Sequence, residues 1–139
     1  MFEAKEKLRA NMLDRQRALT EDEKSQAEQK LVDRVTSMEF WRKSQKIGCY
    51  LAFRNELRTK KLIEKAWSQG KGVYVPVVEK SSFSMYFVQY EKTDELEKSA
   101  QGVFVPSREK SKVRVGACDC FIVPACCLDQ KGHRLGYGK

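Results

Sequence analysis

With 139 residues, 41% of them hydrophobic and 33% charged, the chain is long enough to bury one core and has the composition of a globular protein rather than a disordered one. No apolar run approaches the roughly 18 residues of a membrane span, and the N-terminus lacks a signal peptide's apolar region, so a cytoplasmic protein with no membrane partner is expected. The formal net charge of +8 would suit nucleic acid, but the cations alternate with Glu and Asp as on a solvated helix face; this argues against a nucleic-acid partner and leaves small anions such as a nucleotide or a polyglutamate.

In chain order, Glu3 to Arg17 carries Leu8 and Met12 at helical spacing among charges and predicts an amphipathic helix. Thr20 with Glu23 three residues on is a capping box that starts a second helix, whose Ala27, Leu31 and Val35 form one apolar stripe. Ile47 to Phe53 is a near-continuous apolar run of strand length, typical of a parallel strand covered on both faces. A helix capped by Thr59 follows, with Leu62, Ile63, Ala66 and Trp67 inward and a stop at Gly70.

Gly72 to Val78 reads as the next strand, with Pro76 best placed at its end, and Phe83 to Tyr90 as a third. A short acidic helix is expected around Asp94 to Lys98, and Cys120 to Pro124 is a last apolar strand. Strand, helix, strand, then a strand feeding a glycine-rich loop is the layout of an open, mostly parallel α/β sheet flanked by helices, behind an N-terminal helical pair. In such sheets ligands bind beyond the carboxyl ends of the strands, which puts the segments 54–59 and 128–139 on the same edge.

Cys49, Cys118, Cys120, Cys126 and Cys127 are odd in number, and their spacing lacks the separated ligand pairs of a zinc site; reduced thiols beside a strand are expected, and no metal is assigned to any residue. Gly132 to Lys139 sets three glycines among cations, so the backbone can approach an anion and supply charge to it. It is not a Walker A loop, because His133 stands where the first glycine belongs and no Ser or Thr follows the lysine; nor does it have room for a dinucleotide fingerprint's third glycine.

Taken together, Lys5-x-x-Leu8-Arg9, Asn55-Glu56-Leu57-x-Thr59, Val75-Pro76 with Met85, and Val123-Pro124 leading to Asp129-x-x-Gly132-x-Arg134-Leu135-Gly136-x-Gly138-Lys139 resemble 5-formyltetrahydrofolate cyclo-ligase, also called methenyltetrahydrofolate synthetase. The resemblance runs along the whole chain and implies a Rossmann-like sheet in one domain over residues 1–139. It implies ATP with Mg2+ as cofactors and 5-formyltetrahydrofolate, with or without a polyglutamate tail, as substrate; it says nothing of oligomeric state. By position it assigns Lys5, Arg9, Arg134, Gly136, Tyr137, Gly138 and Lys139 to the nucleotide, Arg134 and Lys139 also to catalysis, and Leu51 and Glu56 to the folate.

The family pattern continues past the lysine with Gly-Tyr-Tyr-Asp, a further strand and helices, so a C-terminally incomplete domain is expected; a second departure is Val105, where many relatives carry Glu. Three readings follow: an ATP-dependent cyclo-ligase in one-carbon folate metabolism, a non-catalytic nucleotide- or folate-binding remnant, and a basic nucleic-acid-binding module.

Overall fold

The computed structural model describes residues 1–79, 81–82 and 84–137. Three helices come first: α1 (Phe2–Arg17), α2 (Glu21–Thr36) and the one-turn α3 (Glu39–Lys43). Then follow β1 (Lys46–Cys49), α4 (Lys60–Ser68), β2 (Gly72–Val78), β3 (Met85–Gln89), the short strands β4 (Leu96–Lys98) and β5 (Phe104–Pro106), a 3-10 turn at Val115–Ala117, β6 (Cys120–Ile122), β7 (Cys127–Leu128) and β8 (Arg134–Leu135). The main sheet has the order β3-β2-β1-β6. Its inner pairs, β1 with β2 and β1 with β6, are parallel, and β3 is antiparallel at the edge. The sheet is therefore mostly parallel and helix-flanked, as its apolar runs require.

The core forms where α2 and α4 meet this sheet. Leu62, Ile63 and Ala66 of α4 are at most 3% exposed and pack with Ile47, Val73 and Val75 of the strands and Val32 and Val35 of α2. Trp41 of α3, for which the periodicity gives no signal, is 1% exposed and closes one end of that core. Its indole donates to Gln69 at 2.9 Å, and buried Lys71 donates to the carbonyls of Trp41 and Ser44, satisfying the last turn of α3.

Helix ends follow local rules at some places and tertiary contacts at others. The box at α2 forms fully, Glu23 N–H donating to the Thr20 hydroxyl and Thr20 N–H to the Glu23 carboxylate. At α4 the expected cap is absent. Thr59 donates its hydroxyl to the Tyr50 carbonyl at 2.7 Å, and the N–H of Lys61 is taken instead by the carboxylate of Glu28, reaching over from α2 at 3.0 Å. The far end of α4 closes as a Schellman turn, with Gly70 at φ +72 and bonds from Gly70 to Trp67 and Lys71 to Ala66.

Several expectations are corrected. The first strand ends at Cys49, not Phe53: Tyr50 makes one last bond to Ile122 at 3.4 Å, and Tyr50 to Thr59 become a loop fixed by side chains. The third strand spans Met85–Gln89, with Phe83 outside the described residues, and the last apolar run is a strand only over Cys120–Ile122. Pro76 lies inside β2. It faces Phe87, whose carbonyl turns away to Val113, so this pair exchanges no hydrogen bond and the missing N–H removes no rung from the β2–β3 ladder.

The acidic helix at 94–98 is instead a turn and a strand. The Asp94 carboxylate takes the N–H of Glu91 and ends the turn, and Gly102 at φ +80 folds Phe104–Pro106 back beside Leu96–Lys98. One apolar side chain, Leu96, could not have anchored a helix. Finally, α1 buries no residue, and Leu8 of its expected apolar stripe is 42% exposed, so this helix is held mainly by polar contacts to the C-terminal loop.

Candidate active site

Because β1 and β6 are parallel neighbours, the loops after them leave the same edge of the sheet, and the site is built from these two loops and α1. The second loop holds the small β7–β8 hairpin. Its turn is organised by Asp129, whose Oδ1 accepts the N–H groups of Lys131 and His133 at 2.9 and 2.8 Å while Oδ2 meets His133 Nδ1 at 2.7 Å. The contact with His133 and these N–H groups hold the Asp129 carboxyl below the usual range. Gly132 sits at φ +85, where a side chain would strain the turn.

Arg134 leaves this hairpin and folds back, donating from Nε and Nη2 to the Pro124 carbonyl at 2.9 and 2.6 Å, with its guanidinium lying beside Gly136. Arg9 donates to the Gly136 carbonyl at 2.9 Å and is also paired with Glu6 one turn earlier. Gln16, two turns on, donates to the Cys126 carbonyl, and the Tyr137 hydroxyl donates to Ala125 at 3.2 Å. Between α1 and the hairpin lies a cavity of about 440 Å³ lined by Lys5, Leu8, Met12, Leu128, Arg134 and Leu135. Of the residues assigned to the nucleotide, Lys5 and Arg134 line this cavity, whereas Arg9, Gly136 and Tyr137 are outside its lining and join α1 to the C-terminal loop. Gly138 and Lys139, also assigned to the nucleotide, lie outside the described residues.

The first loop is bound to α2. Lys24 donates to the Asn55 side chain at 3.3 Å, and Arg58 pairs with Glu21 at 3.0 Å and with buried Glu28 at 3.3 Å. Arg54 at φ +57 turns the chain sharply, and Glu56 Oε2 accepts the Phe53 N–H at 2.8 Å across that turn. Burial raises the Glu56 carboxyl above its usual value, against the pull of the Phe53 N–H. Burial, then the neighbouring Cys49, Glu56 and Tyr137, also raise the Tyr50 phenol, whose hydroxyl donates to Leu57 at 2.5 Å.

Leu51 and Glu56, paired by sequence as folate residues, diverge. Leu51 lines a larger cavity of about 920 Å³ with Thr59, Ile63, Trp67, Tyr90 and Phe104, while Glu56 is outside that lining and lies on the side of Tyr50 and Tyr137. Tyr50 is a core residue at 8% exposure. Trp67, expected in the core, packs edge-on against Tyr90 and also faces the cavity, and with Phe104 was not assigned to a site; such a wall joins residues distant in sequence, and no local motif marks it. Gln16 was missed for the same reason. All five cysteines are unpaired thiols, and burial pushes the Cys49 thiol up to about 12. Among the described residues, no group of three or more His, Cys, Asp or Glu could hold a metal ion, and no helix is long and apolar enough to cross a membrane.

The chain matches the profile of the 5-formyltetrahydrofolate cyclo-ligase family over residues 1–139. It is 30% identical over 134 residues to a 5-formyltetrahydrofolate cyclo-ligase of Haemophilus influenzae, covering 95% of this chain and 68% of that protein. With a probable 5-formyltetrahydrofolate cyclo-ligase of Schizosaccharomyces pombe it shares 32% identity over 108 residues, 76% of this chain and 53% of the relative. In three dimensions it is similar to the 5,10-methenyltetrahydrofolate synthetase of Aquifex aeolicus, with a TM-score of 0.83 and 26% identity over 97% of this chain and 68% of the other. With a whole-length profile match and the same sheet and helices, the chain belongs to the 5-formyltetrahydrofolate cyclo-ligase family.

Proposed function

We propose that the chain catalyses the ATP-dependent cyclisation of 5-formyltetrahydrofolate to 5,10-methenyltetrahydrofolate, releasing ADP and phosphate. The observation that carries this reading is the pair of cations Lys5 and Arg134 lining one cavity between α1 and the C-terminal hairpin, with Arg9 holding the adjoining Gly136 carbonyl, in a chain of this family. In the reaction the formyl oxygen attacks the γ-phosphorus and ADP leaves. The neighbouring amine nitrogen then attacks the activated carbon, its proton passes to solvent, and the C–O bond breaks to release phosphate.

Most of the protein's part in such a reaction is positioning and charge neutralisation. Lys5 and Arg134 supply positive charge to the triphosphate, and two of the guanidinium's N–H donors already used on Pro124 fix its plane while the others stay available. Arg9 holds the Gly136 carbonyl and so fixes the peptide that carries the Tyr137 N–H, a donor for phosphate. On the folate side Leu51 covers the apolar ring face. Glu56 keeps Oε2 on Phe53, leaving Oε1 to accept from an amino and amide edge.

Arg58, Lys60 and Lys92 on the lining of the larger cavity support a glutamate tail on the substrate. Magnesium would enter with ATP as the counter-ion of its phosphates. The described residues offer no acidic cluster to hold it, and no step is routed through it. Unpaired cysteines suit a reducing, cytoplasmic compartment.

The test is turnover of the purified chain, followed by the near-ultraviolet absorbance of methenyltetrahydrofolate. Product that requires ATP is expected. Binding of ATP and folate with no product would make the chain a ligand-binding protein, and binding of oligonucleotides with neither ligand bound would overturn the reading.

A further inference from the structure

The arm formed by residues 95–107 projects from the sheet between Asp94 and Arg108. Its strand β4 is exposed along its whole length, and Leu96 and Phe104 are 37% and 38% exposed, so apolar burial is confined to the end of β5, where Pro106 is buried. Yet both side chains line the larger cavity, opposite Leu51, Ile63 and Trp67. What fixes the arm is its base. The Asp94 side chain is fully buried and holds three donors: Glu91 N–H at 2.8 Å, Lys110 Nζ at 2.7 Å and an Arg108 Nη2 at 3.1 Å. One carboxylate thereby ties the residues entering the arm to those leaving it, beside a backbone bond from Ser107 to Glu95 at 2.9 Å. At the tip, Gly102 turns next to the ring of Phe53, on the loop that carries Leu51 and Glu56.

We propose that Asp94 is a positioning residue for substrate: through Lys110 and Arg108 it sets the β4–β5 arm as the outer wall of the folate cavity and so governs folate affinity, without touching the nucleotide or the reacting atoms. A buried carboxylate with three donors holds one geometry, whereas an exposed two-stranded arm without it is free to swing. The substrate named here rests on the cyclo-ligase reading, and the arm's dependence on Asp94 does not.

The test is Asp94→Asn, which keeps the shape and removes the charge. Tryptophan fluorescence, with Trp67 on the cavity wall, is titrated with 5-formyltetrahydrofolate, alongside steady-state kinetics and limited tryptic cleavage at Lys98. The variant is expected to bind folate about tenfold more weakly and to raise its KM equally, with kcat and the KM for ATP within about twofold and faster cleavage in the arm. A folded variant with wild-type folate affinity, or one whose KM for ATP rises as much as that for folate, overturns the proposal. Should Asp94→Asn fail to fold, the double variant Arg108→Ala, Lys110→Gln tests the same base from its outer side, with the same expected and overturning results. If the wild type itself binds no 5-formyltetrahydrofolate, the cyclo-ligase reading falls and the ligand assigned to this wall falls with it; cleavage at Lys98 unchanged by Asp94→Asn would overturn the arm mechanism alone.

Discussion

Arg9 and Arg134 each donate to a backbone carbonyl of the C-terminal loop, Gly136 and Pro124 respectively, so both cations shape the loop as well as charge it. Arg9→Ala removes a charge-assisted bond on an exposed helix that buries no residue, and it is expected to raise the KM for ATP about tenfold while moving the melting temperature little. Kinetics and thermal melts on one sample check both. Glu56 carries the opposite balance. Its folded pKa lies above the ordinary 4.5, so in the range below 4.5 its burial costs nothing, and the cost of holding the carboxylate appears as pH rises through the folded value. Glu56→Gln keeps an acceptor for Phe53 N–H and removes that cost. The variant should be as stable as the wild type in acid and more stable at neutral pH, yet bind folate more weakly; denaturant melts across that pH range and a folate titration would show the trade.

At the scale of elements, α2 does more than cover the sheet. Through Lys24, Glu21 and Glu28 it grips the loop after β1, and Glu28 also takes a free N–H at the start of α4. Glu28→Ala leaves that N–H and one face of Arg58 unpartnered and is expected to cost about 3 kcal/mol, whereas Glu28→Gln, which can still accept from Lys61, should cost about 1 kcal/mol. Chemical denaturation of the two variants separates them. In β1, Gly48 has a different constraint: a Cβ there would overlap the Phe121 ring, which packs edge-on with Phe87 across the sheet.

Over the whole molecule, burial sorts the thiols. Cys49, 2% exposed with its thiol pushed up to about 12, should resist alkylation in the native state, while the half-exposed Cys118, Cys120 and Cys127 react first. Mass spectrometry of natively alkylated protein gives the order, and early modification of Cys49 would mean that the β1 core opens readily. The two cavities lie on different loops, the larger on the loop after β1 with α4 and the β4–β5 arm, the smaller between α1 and the β7–β8 hairpin after β6.

Several local signals were legible in the sequence. The box at Thr20, the α4 stripe of Leu62, Ile63 and Ala66, the exact span of β2 and the motif residues around Arg134 all follow from spacing and residue chemistry within a few positions. Long-range contacts decided the rest. The first strand stops at Cys49 although its apolar run continues, since Tyr50 and Thr59 bond to each other and take the chain out of the ladder. Asp94 to Lys98 has helix-like composition, but Lys110 and Arg108, remote in sequence, hold Asp94 in a turn. Which cavity Leu51 faces, and that Glu56 parts from it, depends on how α2 and α4 clamp their loop, because side-chain direction in a loop is fixed by its partners and not by a period.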